Sequence, residues 1–135
     1  MDEKNGEKRY QVELPYPPVR VRCPNLRYAR AMLDNVGGRN SEMSAVSLYF
    51  YNHVMTSREE EVSTAFHRMS LVEMHHLEIF AELARQLGED PRLWTQVGVQ
   101  KIYWSPGYNQ YPRRLDSLLN NALTGEKDAI QKYQR

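Results

Sequence analysis

The stretch from Met69 to Phe80, MSLVEMHHLEIF, carries the strongest structural signal in the chain. Glu73 and His76 lie three residues apart in it, so on a helix their side chains project side by side. At about 100° per residue, a helix over residues 58–87 gathers these apolar side chains on one face: Val62, Phe66, Met69, Leu77, Phe80, Ala84 and Leu87. Glu73 falls near the middle of that face and His76 near its edge. Because an unpaired buried carboxylate is costly, the pattern predicts a metal cation beside Glu73.

The size and charge of the chain exclude several classes of protein. Its 135 residues predict one domain, and a formal net charge of +1 gives no support to a nucleic-acid partner or an anionic membrane surface. No apolar run is long enough to span a bilayer. The charged start, MDEKNGEKRY, does not resemble a secretion signal, and the single Cys23 fits a reducing compartment. We therefore expect a cytoplasmic protein.

The remaining sequence predicts an all-α fold preceded by an arm. Residues 1–24, which include ELPYPPVRVRCP, are predicted to form an extended N-terminal arm, and residues 25–135 a helical domain. Helices are expected at about 25–36, 41–55, 57–87 and 114–135.

Local signals mark where these helices begin and end. Asn25 and Ser41 are expected to cap the first two helices, and Ser57 is expected to open a capping box for the third. Gly88 should end the third helix. Residues 89–114, rich in Trp, Tyr, Pro and Gly, lack helical periodicity and are interpreted as a long crossover connection, and strand signals are weak throughout the chain.

Two further acidic residues fall on apolar helix faces. Glu42 shares a face with Tyr49 and His53, and Glu126 lies among aliphatic residues of the last helix. Three carboxylates and one imidazole are thus predicted to point inward from three helices. Fe(II) and Mn(II) favour carboxylate oxygen with some imidazole, whereas one cysteine cannot build a structural zinc site from thiolates. Tyr49 and Tyr133 are candidates to hydrogen-bond a ligand carboxylate.

Simpler explanations exist for each of these residues. Glu73 could form an ordinary ion pair at the edge of the apolar face. Glu42 lies in a first helical turn, where the helix dipole favours an acid, and Glu126 follows Gly125, which could break the helix. Of the other histidines, His53 is expected to be a core residue with its hydrogen bonds satisfied. A solvated face is expected for the remaining polar residues of this part of the long helix: His67, His75 and Glu78.

The residues resemble the ferritin-like superfamily of dinuclear carboxylate proteins, whose ligands are a Glu, a Glu-x-x-His, a Glu and a second Glu-x-x-His on four helices. The segment 24–87, with its Gly37-Gly38 turn before Glu42, is similar to manganese catalases and their spore-coat relatives. Residues 111–133 are closer to rubrerythrins. The resemblance implies an up-down helical bundle with a long crossover, and metal ligands at four positions: Glu42, Glu73, His76 and Glu126.

The same resemblance implies redox chemistry. A dinuclear pair of Fe or Mn ions is expected to react with hydrogen peroxide or O₂, with peroxide removal as the first expectation. The chain has no Cys-x-x-Cys pair for a rubredoxin-like module, so a reductive peroxidase would need an external electron donor. Iron oxidation and storage is the second option. A non-catalytic coat or scaffold bundle with a vestigial metal site is the third.

One departure from the family pattern concerns the end of the chain. No second Glu-x-x-His follows Glu126. Either the chain is a truncated form of a longer protein with a fourth helix, or two chains pair their 41–87 helical hairpins and complete the ligand set together. A homodimer is expected in both cases, because a helical hairpin must bury its apolar stripe against a partner.

Overall fold

The computed structural model describes residues 15–134, and these residues form a helical protein with one small β-hairpin. The helical fold class predicted from the sequence is confirmed. The elements in chain order are α1 (Leu26–Gly37), α2 (Glu42–Met55), α3 (Glu60–Leu87), β1 (Trp94–Val97), β2 (Gln100–Tyr103), a 3-10 turn (Pro106–Tyr108) and α4 (Leu115–Tyr133).

The first two helices begin where their capping residues predicted. The Asn25 side chain accepts a hydrogen bond from the backbone N–H of Tyr28 at 3.2 Å, and the Ser41 hydroxyl accepts one from the N–H of Ser44 at 3.3 Å. Each bond satisfies a backbone donor that the first turn of a helix leaves unpaired. Helix α2 therefore starts at Glu42, which becomes its first-turn acid.

Helix α3 ends as predicted at Gly88, whose φ of 117° is a left-handed conformation that glycine adopts readily. The predicted capping box at Ser57 is wrong. The helix begins at Glu60, and its N-cap residue Glu59 makes no capping bond with its side chain. Thr56 instead closes the turn between α2 and α3, because its carbonyl accepts from the N–H of Glu59 at 2.8 Å.

The connection at 89–114 contains a β-hairpin over residues 94–103, where the sequence showed only weak strand signals. Strands β1 and β2 pair antiparallel, with Trp94 opposite Tyr103 and their rings stacked at 5.4 Å. Helix α1 supports this hairpin through Gly37: a Cβ there would lie 2.3 Å from the backbone nitrogen of Trp94. The hairpin thus depends on a close approach between distant parts of the chain.

The core lies between α2, α3 and α4. Its buried cluster consists of Tyr49, Phe66, Leu118 and Ala122. Helices α2 and α3 pack along each other as an antiparallel hairpin, and α1 packs across α3. The start of α4 meets Phe66, and its end brings Tyr133 within 5.8 Å of the Phe80 ring, so α4 runs parallel to α3.

The described part of the predicted N-terminal arm, residues 15–24, contains no helix or strand. It lies along α3, where the Gln86 amide donates to the Val19 carbonyl at 3.2 Å and accepts from the N–H of Val21 at 3.0 Å. The first 14 residues of the arm lie outside the described part of the chain. Among residues 15–134, no helix combines the length and the apolar character that crossing a bilayer requires.

Candidate metal centre

Glu42 lines an open cavity of about 430 Å³ whose walls come mainly from α2, α3 and α4. Its position in the first turn of α2 turns the side chain inward, so the residue is only 5% exposed. The hydroxyl of Tyr133, from the end of α4, donates a 2.5 Å hydrogen bond to Glu42 Oε1. The first ligand candidate is therefore buried and held by a partner from another helix.

Glu73 and His76 enter the same cavity from the middle of α3. Their side chains meet at 3.1 Å between Glu73 Oε2 and His76 Nδ1, and the Glu73 side chain is 13% exposed. One ligand atom from each of Glu42, Glu73 and His76 lies within 4.8 Å of the other two. The antiparallel α2–α3 hairpin thus brings together three of the four residues that the sequence predicted.

Glu126 reaches the cavity from α4. It is not part of the 4.8 Å cluster of three, but its Oε1 accepts a hydrogen bond from the hydroxyl of Tyr49 on α2. Gly125 does not break the helix, which continues through it to Tyr133. The expectation that a tyrosine would hydrogen-bond a candidate ligand is confirmed for both Tyr49 and Tyr133.

Without a bound cation, Glu42, Glu73 and His76 shift one another's pKa values. Burial, together with the neighbouring Glu73 carboxylate, raises the pKa of Glu42 to about 9. Burial also acts to raise the pKa of Glu73, but hydrogen bonds with His76 and Glu42 outweigh it and leave that pKa below its usual value. The bond to Glu73 raises the pKa of His76. Glu42 is therefore protonated at neutral pH, while Glu73 carries the negative charge.

The two tyrosines remain hydrogen-bond donors. Burial, together with the adjacent Glu126, raises the pKa of Tyr49, and burial with the adjacent Glu42 raises that of Tyr133. Both phenols thus keep their protons at any physiological pH. Each can fix the orientation of one carboxylate without competing with it for a cation.

His53 is half-buried and not the core residue that the sequence predicted. Its Nδ1 contacts the carbonyl oxygen and the hydroxyl of Ser63 at 2.8 and 2.9 Å, so this nitrogen has hydrogen-bond partners. The side chains of His67, His75 and Glu78 are exposed as predicted, although the His67 ring lies 4.9 Å from the ring of His53 on α2.

Sequence reasoning missed two contributions to the site. Tyr16, from the arm, stacks on His75 at 4.8 Å and lies edge-on to His76 at 6.1 Å. The loop at 108–110 lines the cavity, and its Asn109 amide donates to the Ser44 carbonyl at 3.0 Å. Neither segment has helical periodicity, so no pattern in the sequence pointed to these contacts.

The residues present fit a divalent metal. Glu42 is a buried acid that ionises at neutral pH only when a nearby positive charge compensates it. Three carboxylates and one imidazole converge on a cavity with room for ions and bound water. This set of donors suits iron or manganese, whereas the lone Cys23 is exposed and away from the cavity.

A helical fold that brings carboxylates and an imidazole together from separate helices is typical of the ferritin-like carboxylate proteins. A scan against protein families matches the family described as manganese containing catalase over residues 9–105, which is more than two thirds of the chain. The protein belongs to this family. The match includes Glu42, Glu73 and His76 but ends before α4 and Glu126. Searches of curated proteins and of solved structures found no significant match.

Proposed function

We propose that the protein binds a dinuclear pair of Mn or Fe ions through Glu42, Glu73, His76 and Glu126 and removes hydrogen peroxide. The observation that carries the proposal is the cluster of Glu42, Glu73 and His76, whose ligand atoms lie within 4.8 Å of one another beneath α4. Membership of the manganese containing catalase family supports the same chemistry. When bound, the metal pair would supply the redox change that converts two molecules of H₂O₂ into O₂ and two of water.

The chain's own residues would position the metals and protect them from bulk water. Glu42 and Glu73, from facing helices, would supply carboxylate oxygens to the ions, and His76 would add an imidazole nitrogen. Tyr49 holds the Glu126 carboxylate by a hydrogen bond, and Tyr133 holds that of Glu42. Such outer partners orient metal ligands and increase affinity. The cavity of about 430 Å³ is large enough to admit peroxide.

Metal uptake must displace a proton from the cluster. The proton on Glu42 must leave before this carboxylate can bind a cation. In keeping with a single cysteine in the chain, we place this activity in the reducing cytoplasm.

The test is reconstitution followed by an activity assay. Protein stripped with a chelator is loaded separately with Mn(II) or Fe(II), and metal content is measured by mass spectrometry. We expect about two metal ions per complete site and O₂ release from H₂O₂ at an oxygen electrode. The matched control for a Glu73→Ala variant is Glu78→Ala, an exposed glutamate of the same helix. Protein that takes up neither metal contradicts the proposal.

The second candidate function is a non-catalytic helical bundle used for assembly, with a vestigial site. It is favoured by the cluster itself: among residues 15–134 it contains one Glu-x-x-His pair, Glu73 and His76, whereas ferritin-like dinuclear sites take such a pair from each of two helices. Protein that binds metal but releases no O₂ would support this alternative. Oxidation of added Fe(II) by O₂ would instead support iron oxidation.

A further inference from the structure

Two histidines meet across the α2–α3 hairpin, away from the candidate metal centre. His53, on α2, and His67, on α3, have ring centroids 4.9 Å apart and ring planes inclined at 42°. His67 precedes Glu73 by nearly two helical turns and lies on a different face of α3. Neither histidine lines the cavity that contains Glu42, Glu73 and His76. The two imidazoles are therefore separate from the proposed dinuclear site.

The hydrogen bonds of His53 determine which of its ring nitrogens is free to bind a ligand. Its Nδ1 lies 2.8 Å from the backbone carbonyl oxygen of Ser63. Because a carbonyl oxygen only accepts, Nδ1 carries the proton and donates it, and in the neutral ring Nε2 keeps its lone pair. The Ser63 hydroxyl donates to the His53 carbonyl at 2.8 Å, which holds the two helices together at this point. Histidines that bind metals usually donate their other ring N–H to a carbonyl or carboxylate in the same way.

The direction of helical side chains explains why His67 lies beside that ring. His67 follows Ser63 by one turn, and side chains of an α-helix lean back over the turn that precedes them. Its ring is thus directed toward the ring of His53, which is hydrogen-bonded to Ser63. A metal–nitrogen bond of about 2.0–2.1 Å places a ring centroid about 3.2 Å from the ion, so two imidazoles at bond angles of about 90–110° have centroids about 4.5–5.2 Å apart. The observed separation of 4.9 Å lies inside this range.

We propose that His53 and His67 form a second metal site, which binds Cu(II), Ni(II) or Zn(II) and bridges α2 and α3. Imidazole nitrogen suits these ions, whereas Mn(II) prefers oxygen ligands. Among residues 15–134, the one cluster of three potential metal ligands is that of Glu42, Glu73 and His76, so water would complete the coordination of the histidine pair. The two sites would therefore select different metals.

The first test is Cu(II) binding to the full chain in a double variant that lacks competing ligands. Glu73→Ala removes the central candidate ligand of the dinuclear site, and Cys23→Ser removes an exposed thiol. We expect this variant to bind about one Cu(II) per chain, with a paramagnetic resonance spectrum split by two imidazole nitrogens. Adding His67→Ala should weaken binding about tenfold or more and leave one nitrogen in the spectrum. The matched control is His75→Ala, an exposed histidine of the same helix, which should change neither result.

Thermal unfolding with Zn(II) tests whether the ion joins the two helices. An ion that binds the folded protein preferentially stabilises it, so Zn(II) should raise the melting temperature of the double variant. His53→Gln keeps an amide that can donate to the Ser63 carbonyl but removes the imidazole, and Zn(II) should then leave the melting temperature unchanged. Comparing each variant with and without Zn(II) cancels any effect of the substitution on the fold itself.

Three results would overturn the second site. They are a chain that binds no Cu(II), a spectrum with a single nitrogen before any histidine is replaced, and equal losses of affinity in His67→Ala and His75→Ala. A melting temperature that does not respond to Zn(II) would contradict the bridge between the helices. All of these measurements use protein without Glu73, so they are independent of Mn or Fe uptake at the dinuclear site.

Discussion

The α1–α3 part of the protein and α4 hold different shares of the same candidate site, and they are packed very differently. Leu33 of α1 and Ala84 of α3 are completely buried, so the helices that bring Glu42, Glu73 and His76 together have tightly packed supports. Helix α4 buries Leu118 and Ala122 but leaves Leu119 and Leu123 exposed. The packed core therefore fixes the positions of Glu42, Glu73 and His76, whereas Glu126 belongs to a helix that is buried on one side only.

The largest effect should come from removing the central ligand of the well-packed part. We expect Glu73→Ala to abolish metal uptake, because it removes the carboxylate that contacts both Glu42 and His76. The helix content should survive, since the change relieves the burial of a charge. Metal analysis with circular dichroism checks this result. An unchanged metal content would show that Glu73 is not a ligand.

Two leucine truncations should measure how differently a buried position of α1 and an exposed position of α4 contribute to stability. Leu33→Ala in α1 is expected to lower the free energy of unfolding by about 2–5 kcal/mol, because it leaves a cavity at a fully buried position. Leu119→Ala, on the exposed side of α4, should cost less than about 1 kcal/mol, since that side chain is 43% exposed. Urea denaturation checks both values. Equal losses would mean that Leu119 is as tightly packed as Leu33.

The hydrogen bond between Tyr49 and Glu126 joins the two parts. Tyr49→Phe keeps the ring that packs against Phe66 but removes the donor that orients Glu126. We expect metal affinity to fall about 10- to 100-fold, as measured by competition with a chelator of known affinity. Tyr51→Phe, whose ring contacts Tyr111 outside the cavity, is the control and should bind metal normally. A normal affinity in Tyr49→Phe would mean that Glu126 needs no orientation from α2.

A further prediction concerns pH. The pKa of Glu42 is raised in the folded protein to about 9 from an ordinary value of 4.5, so folding favours its protonated form. The stability contributed by this group is fully present below about pH 4.5 and is lost as the pH rises toward 9. We expect the melting temperature of the metal-free protein to contain a component that falls over this range. Glu42→Gln, which keeps the shape and stays neutral, should remove that component. An identical pH profile in wild type and variant would contradict the assignment.

The helix boundaries that the sequence predicted correctly are those set by local signals. Asn25, Ser41 and Gly88 each act on a single helical turn, and this effect is visible in a few residues of sequence. The capping box at Ser57 failed because Thr56 closes a tight turn at that point and shifts the start of α3. The hairpin at 94–103 was missed because its support from Gly37 is distant in sequence.

In the candidate site, too, some features follow from local sequence patterns and others only from contacts between distant residues. Helical periodicity is a property of the sequence, and it was enough to place Glu42, Glu73 and His76 on apolar helix faces and to predict a shared metal centre. The tertiary structure alone decided that α2 and α3 face each other at these positions. It also decided that Tyr49 donates a hydrogen bond to Glu126 and Tyr133 to Glu42, and that α4 leaves Leu119 and Leu123 exposed. The physical reason is that the amphipathic pattern of a helix sets which side avoids water, while its neighbours determine how much of that side is covered.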